Sequence, residues 1–420
     1  QLKHRPQYRQ GVNERGTDIM LSTGATPLLR AARAGDTEVV RLLLEHGALV
    51  ELPNQYGVTP LMAAAGVGFG VRATRGQDAT EADRIATLEV LIAAGGDVNR
   101  RTLSVGRTPP PGLDNFLYRI RVTEILNQNY IYSYVPPDGR AAIHGAARNG
   151  WNDVVTFLVE HGAEVDARST VRQWDRKVSG EPRPKTLSQG GLTPLMFAAR
   201  TGCIACAELL LAAGADIDLP DPYGVTPLLV ATLNLQNDFA AYLMEQGADI
   251  FQWDLYGRTP LYVAIDLKNF EPPERPGPEP PMSGLQLAEL LLERGANPNS
   301  QLKQWRPPFV RVARGQDNTL ATGATPLLRA AHASDLDAMK LLLRYDALID
   351  LPNASGITPL MAAAGVGVSP NTQRAKDKTE EASIEAARLL IEAGADVNAR
   401  TRDPRRIRMD PEGREAMFGF

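Results

Sequence analysis

The chain has 420 residues, 43% of them apolar and 6% aromatic, enough to bury a core made mostly of Ala and Leu. Its 45 Lys and Arg against 49 Asp and Glu leave a net charge of −4, which argues against a general nucleic-acid binder. Two cysteines make no disulfide framework, and no apolar run of about 18 residues marks a transmembrane helix.

Residues 1–23 form a basic segment, with Lys3, Arg5, Arg9 and Arg15, and carry no helical period. Helical patterning begins at Gly24, and residues 24–102 hold two copies of one plan, opening at Gly24 and Gly57. The plan is clearest in the 33 residues from Gly191 to Tyr223. There Thr193 can cap a helix with its hydroxyl, and Pro194 suits the first helical position, where no amide hydrogen is needed. Leu195, Met196, Ala198 and Ala199 give that helix a small-residue face. Gly202 breaks it, a second helix runs through Leu209–Leu211, and Gly214 ends that helix in the left-handed conformation. Asp216, Asp218, Asp221 and Pro222 supply turn chemistry leading to the next copy.

Residues 103–138 interrupt the plan; within them FLYRIRVTEI from Phe116 and YIYSYV from Tyr130 flank a polar turn and predict a β-hairpin. Residues 139–302 hold four more copies, opening at Gly139, Gly191, Gly224 and Gly257. The first has lost Thr-Pro but keeps His144. A basic insertion at 303–322 precedes two final copies in 323–401, opening at Gly323 and Gly356. Residues 402–420 parallel the start of the copy at Gly139 and predict the beginning of a ninth.

Thr-Pro at 26, 59, 193, 226, 259, 325 and 358, in register with the glycines, closely resembles the ankyrin repeat. That resemblance implies an all-α ankyrin solenoid of about eight repeats, each a helix-turn-helix with a β-hairpin finger. It also implies that His144 ties neighbouring loops by hydrogen bonds, and that fingertips and first helices line a partner-binding groove. Carried onto this sequence, the candidate contacts are Tyr56, Tyr223, Trp253 and Tyr256 at the tips. Arg33, Arg148 and Arg200 form a row at the ends of first helices, where capping of helix carbonyls is the alternative role.

A second period lies beneath the first: Gly24 and Gly57 are matched 299 residues later by Gly323 and Gly356. Neither end carries a polar capping repeat, so a section of a longer solenoid, or ends covered by neighbouring copies, is expected, with tails folded over the ends as the alternative. Insertions at 67–80, 268–284 and 367–380 fall within repeats, the middle one proline-rich; those at 101–138, 168–189 and 302–322 fall between repeats and are basic. Basic fingers on an acidic body could steer acidic partners, solvated loop charge being the alternative.

No chemical constellation emerges. Cys203 and Cys206 read as small apolar residues at the start of a second helix, with a disulfide left open should the protein be exported. Gly66-Val-Gly68-Phe-Gly70 follows a helix rather than a strand and lacks Lys-Ser/Thr, so it reads as a helix exit and not a phosphate loop. The five histidines lack metal-ligand spacing. Asp346 stands where other repeats end the second helix with glycine, which predicts a left-handed Asp.

The expected function is a non-catalytic protein-binding scaffold; the alternative is a structural solenoid that continues or joins end to end into a fibre. No catalytic residue, cofactor or metal is expected. Partners are other proteins and possible copies of the same chain, with no nucleic acid and no membrane span. The long basic insertions resemble those of bacterial ankyrin proteins with exported members, which implies an extracytoplasmic location, with the cytoplasm as the alternative.

Overall fold

A computed structural model describes residues 24–54, 56–68, 79–103, 139–176, 185–268, 282–303, 320, 322–366 and 378–401. The tail at 1–23, the hairpin expected around Phe116 and Tyr130, the proline-rich segment, most of the basic insertion at 303–322 and the ninth copy lie outside these residues. The chain forms two compact units, one built on residues up to Pro222 and the other from Tyr223 onward, apart from residues 177–184.

In the first unit, helices α1 (Pro27–Ala34), α3 (Pro60–Ala64), α5 (Ala142–Asn149) and α7 (Pro194–Thr201) open successive repeats. Helices α2 (Thr37–Glu45), α4 (Glu81–Ala93), α6 (Asn152–Glu160) and α8 (Ile204–Ala212) follow them. First helices pack on first helices and second on second, so two parallel rows bury the apolar strip between them. The second unit repeats the scheme. Its first helices are α9 (Pro227–Leu233), α11 (Pro260–Lys268), α13 (Pro326–Ala333) and α15 (Pro359–Ala363). Its second helices are α10 (Asn237–Glu245), α12 (Gly284–Glu293), α14 (Leu336–Arg344) and α16 (Glu380–Glu392).

The Thr-Pro pairs act as the sequence predicts. The hydroxyl oxygens of Thr26, Thr59, Thr193, Thr226, Thr325 and Thr358 each accept the amide of the residue three further on, at 3.0–3.3 Å. Thr259 does the same for Tyr262, at 3.2 Å. Where Thr-Pro is lost, His144 takes over the start of α5. Its Nδ1 accepts the Ala141 amide at 3.0 Å, so its Nε2 carries the proton and donates to Ala167 O at 2.8 Å and Leu192 O at 3.2 Å. One ring thus joins a helix start, the end of its own repeat and the entry of the next.

Two findings add detail to the sequence reading. The between-repeat insertion at 168–189, where a hairpin finger belongs, forms an antiparallel ribbon of β1 (Arg172–Arg176) and β2 (Lys185–Gln189), pairing Arg172 with Gln189 and Arg176 with Lys185, though its sequence marks no strand bounds. Its register is set at the base, where Ser169 N donates to Leu192 O and Gly191 N to Ser169 O, at 3.0 and 3.1 Å. Gly66 is not simply a helix exit: it has φ +87°, and a Cβ there would strike the Trp151 ring and the Asn149 amide. Asp346 is left-handed as expected, with φ 61°, and Leu235 and Ser334 join it at φ 59° and 56°, where other repeats place glycine.

Two glycine variants separate crowding from conformation. Gly66→Ala adds a clash to an unfavourable φ and should cost at least about 2 kcal/mol. Gly214→Ala, whose Cβ would meet nothing within 4 Å, should cost only about 1 kcal/mol; urea unfolding of both variants checks the difference. His144 is held down to about pH 4, first by burial and then by Arg140. A histidine whose folded pKa lies below its unfolded value near 6.5 stabilises fully above about pH 6.5 and less as pH falls towards 4. His144→Gln should flatten that decline, worth up to about 3 kcal/mol, in unfolding measured from pH 7 to pH 4.

A candidate partner-binding finger

Three fingers are each shaped by one side chain. Asn54 Oδ1 accepts the amides of Tyr56 and Val58, at 2.9 and 3.0 Å, and Asn353 Oδ1 those of Ser355 and Ile357, both at 2.9 Å. Asp254 fills the same place, accepting from Tyr256 and Arg258 at 3.0 and 2.9 Å. Its other oxygen takes the Arg258 Nε at 2.6 Å, forming an almost fully buried ion pair. Successive fingers are then joined through tyrosine main chains. Tyr56 O accepts Leu103 N at 2.9 Å, Tyr223 O accepts Leu255 N at 2.6 Å, and Tyr256 O accepts Lys303 N at 2.9 Å.

A second link recurs four residues after the left-handed position that closes each second helix. The side chain there accepts the main-chain N–H of the next repeat. Glu51 takes Asp97 N at 3.0 Å, Asn99 takes Glu164 N at 2.8 Å and Asp166 takes Asp216 N at 3.1 Å. In the second unit Asn299 takes Leu348 N at 2.7 Å and Asp350 takes Asp396 N at 3.0 Å. Burial lifts the Asp166 carboxyl above its ordinary pKa, and the Asp216 amide opposes that rise.

Phe251 occupies this linking position in the repeat that opens at Gly224, and its ring has no acceptor to offer. It stands 56% exposed. Two residues on, Trp253 replaces the proline found at 53, 220 and 352 and is 50% exposed; Leu255 follows at 44%. The Lys303 ammonium sits 3.9 Å from the Trp253 ring centre, within cation–π range. One finger therefore exposes three large apolar side chains, with a cation beside Trp253. Other exposed leucines, such as Leu49 and Leu348, need no special explanation singly.

The predicted contact residues differ in exposure. Trp253 is open, whereas Tyr56, Tyr223 and Tyr256 are half-buried. Tyr56 packs against the cluster of Ala25, Leu29, Val58, Met62, Ala63 and Val67, and the Arg258 guanidinium lies 5.4 Å from the Tyr256 ring centre. Arg33, expected on an open groove, is only 2% exposed. It lies close enough to Arg84 to help burial lower the pKa of that guanidinium to about 10. Arg84 stacks 3.9 Å over Trp151 and donates to Ala64 O at 3.3 Å. Arg148 and Arg200 are half-buried in the last turns of α5 and α7. In the second unit the equivalent places hold Leu233, Asp266, His332 and Gly365, so the arginine row does not continue. Asp266 instead accepts the buried Arg329 Nε at 2.7 Å. Phe251 and Leu255 are not among the residues the sequence singles out, although aligning 251–257 with 51–57, 218–224 and 350–356 marks Phe251 as a departure. The cysteines also differ from expectation: Cys203 and Cys206 are joined as a disulfide and not packed as free thiols. Among the described residues no group of His, Cys, Asp or Glu could hold a metal ion, and no helix is long and apolar enough to cross a membrane.

The family model for ankyrin repeats in three copies matches residues 8–73, 121–221, 170–254, 195–272 and 281–401, and the single ankyrin repeat matches 256–303. The chain belongs to the ankyrin-repeat family. Ankyrin repeats are protein–protein interaction modules, and the family is generally non-catalytic. Similar proteins include the rice (Oryza sativa subsp. japonica) "Probable E3 ubiquitin-protein ligase XBOS32", 27% identical over 46% of this chain and 31% of that protein. The human (Homo sapiens) "Ankyrin repeat and MYND domain-containing protein 1" is 28% identical over 48% of this chain and 20% of its own length. The chain thus spans less than a third of the curated relatives it matches.

Phe251→Asp should restore the missing acceptor and raise stability by about 0.5–1 kcal/mol, the net worth of one hydrogen bond. A matched pair of urea curves, wild type against variant, measures it.

Proposed function

We propose that the chain is a non-catalytic scaffold that holds another protein against the finger carrying Phe251, Trp253 and Leu255. One observation carries this reading. At the position where other repeats place a linking carboxylate or amide, and at one where three of them place proline, this finger exposes two aromatic rings, with the exposed Leu255 beside them. That exchange gives up a hydrogen bond between repeats and places apolar surface in water, so folding alone does not account for it. Large aromatic side chains are the usual anchors of protein interfaces. Lys303 beside Trp253 favours a partner segment that sets a carboxylate next to an apolar side chain.

A second reading rests on the long period. The bounds of α1 to α4, from Pro27 to Ala93, recur 299 residues later in those of α13 to α16, from Pro326 to Glu392. Such a period supports a structural chain whose copies associate. Light scattering across a dilution series distinguishes the two readings: mass that grows with concentration supports association, constant mass the scaffold.

The scaffold reading predicts that a displayed library of random peptides, selected on the full chain, yields binders pairing apolar with acidic residues. Trp253→Ala should weaken them at least tenfold, and Phe251→Asp should weaken them while leaving the fold as stable as wild type or more so. Equal affinity for wild type and both variants would rule this finger out.

A further inference from the structure

The sequence contains two cysteines, and the fold brings them together. Gly202 ends α7, Cys203 caps α8 and Cys206 lies in its first turn. In equivalent places Asp36 and Asp335 cap α2 and α14, each accepting an amide three residues on at 3.1 Å. Cys203 Sγ does the same for Cys206 N at 3.2 Å. A sulfur therefore stands where the fold uses an acid, and its partner sulfur is attached to the residue whose amide it accepts. Substituting Cys for Asp gains nothing for the cap itself, since sulfur is a weak acceptor.

The second observation is Asn152 at the start of α6. Its Oδ1 lies 3.2 Å from Cys203 Sγ and 3.1 Å from Cys206 Sγ. A disulfide has no proton to give that oxygen, whereas two thiols have one each. The site thus holds the two sulfurs close enough to bond and also supplies an acceptor that only the reduced pair can use. The disulfide closes a loop of two intervening residues, so opening it releases little chain entropy. Buried Ala207 and Leu210 keep α8 packed in either state.

We propose that Cys203–Cys206 is a reversible thiol–disulfide site that exchanges with cellular thiols such as glutathione. Cys206 is buried and Cys203 half-buried, so the incoming thiolate meets Cys203 first. A glutathione thiolate attacks Cys203 Sγ, forming a mixed disulfide and releasing the Cys206 thiolate, which takes a proton from water. A second glutathione thiolate attacks the glutathione sulfur of that mixed disulfide, releasing the Cys203 thiolate, which is also protonated. Two electrons enter the protein, two thiols form, and one glutathione disulfide leaves. In the reduced state both S–H groups donate to Asn152 Oδ1.

The test equilibrates the folded full-length chain with graded mixtures of reduced and oxidised glutathione, quenches in acid, caps thiols with a maleimide and counts them by mass. The expected result is a reversible transition from no free thiol to two without denaturant, and a stable glutathione adduct on Cys203 in the Cys206→Ser variant. Asn152→Ala removes the acceptor and should shift the midpoint towards the disulfide by about tenfold in the glutathione ratio. Two free thiols in every mixture, or a disulfide that yields only after unfolding, would overturn the proposal. Equal midpoints for wild type and Asn152→Ala would overturn the role of Asn152.

Discussion

A helix pair of this kind cannot bury its apolar face alone, and what it needs is the next pair at one fixed offset. Rows of Ala and Leu supply the burial but little of the register, because similar small side chains recur along each row. Register comes instead from directional bonds: a side-chain acceptor that takes an N–H of the next repeat, and a tyrosine carbonyl that takes an N–H of the neighbouring finger. Each is worth only about 1 kcal/mol. Their effect lies in position, since a repeat shifted along its neighbour would leave them all unmade. Where Thr-Pro is missing, His144 supplies the same kind of tie with a ring that must stay neutral to do it.

The finger at 251–255 is a place where this tie between repeats has been relaxed. Phe251 stands where Glu51, Asn99, Asp166, Asn299 and Asp350 reach forward. The finger keeps its shape without it, because Asp254 still organises the turn and pairs with the buried Arg258. A turn that remains well formed while its outward side chains become aromatic suits recognition, for little order has to be imposed when a partner arrives.

The helices and their starts are legible in the sequence because they depend on local chemistry. A hydroxyl three residues before an amide, a proline at the first helical position and a glycine after the last turn act within a few residues. Features that depend on distant partners are not legible in this way. Arg33 has much the same neighbours in sequence as Arg200, yet it is buried and lies near Arg84, which comes from the next repeat. The ribbon at 172–189 has no apolar alternation, and its register comes from Ser169 and Leu192 at its base. The tyrosine tips matter for a different reason from the one their residue type suggests: their carbonyls do the joining, and their rings are half-buried. The departure at Phe251 is present in the sequence, but its meaning requires knowing that the acids it replaces bridge to the next repeat.

The proposed exchange of a link between repeats for a surface that meets a partner is tested most directly by hydrogen–deuterium exchange. The full chain is measured alone and with a peptide selected against it. If the proposal holds, the peptide slows exchange in residues 249–256 and at Lys303, with little change in the equivalent finger at 348–355. Protection confined to the helix ends around Arg148 and Arg200, with none at 249–256, would contradict it.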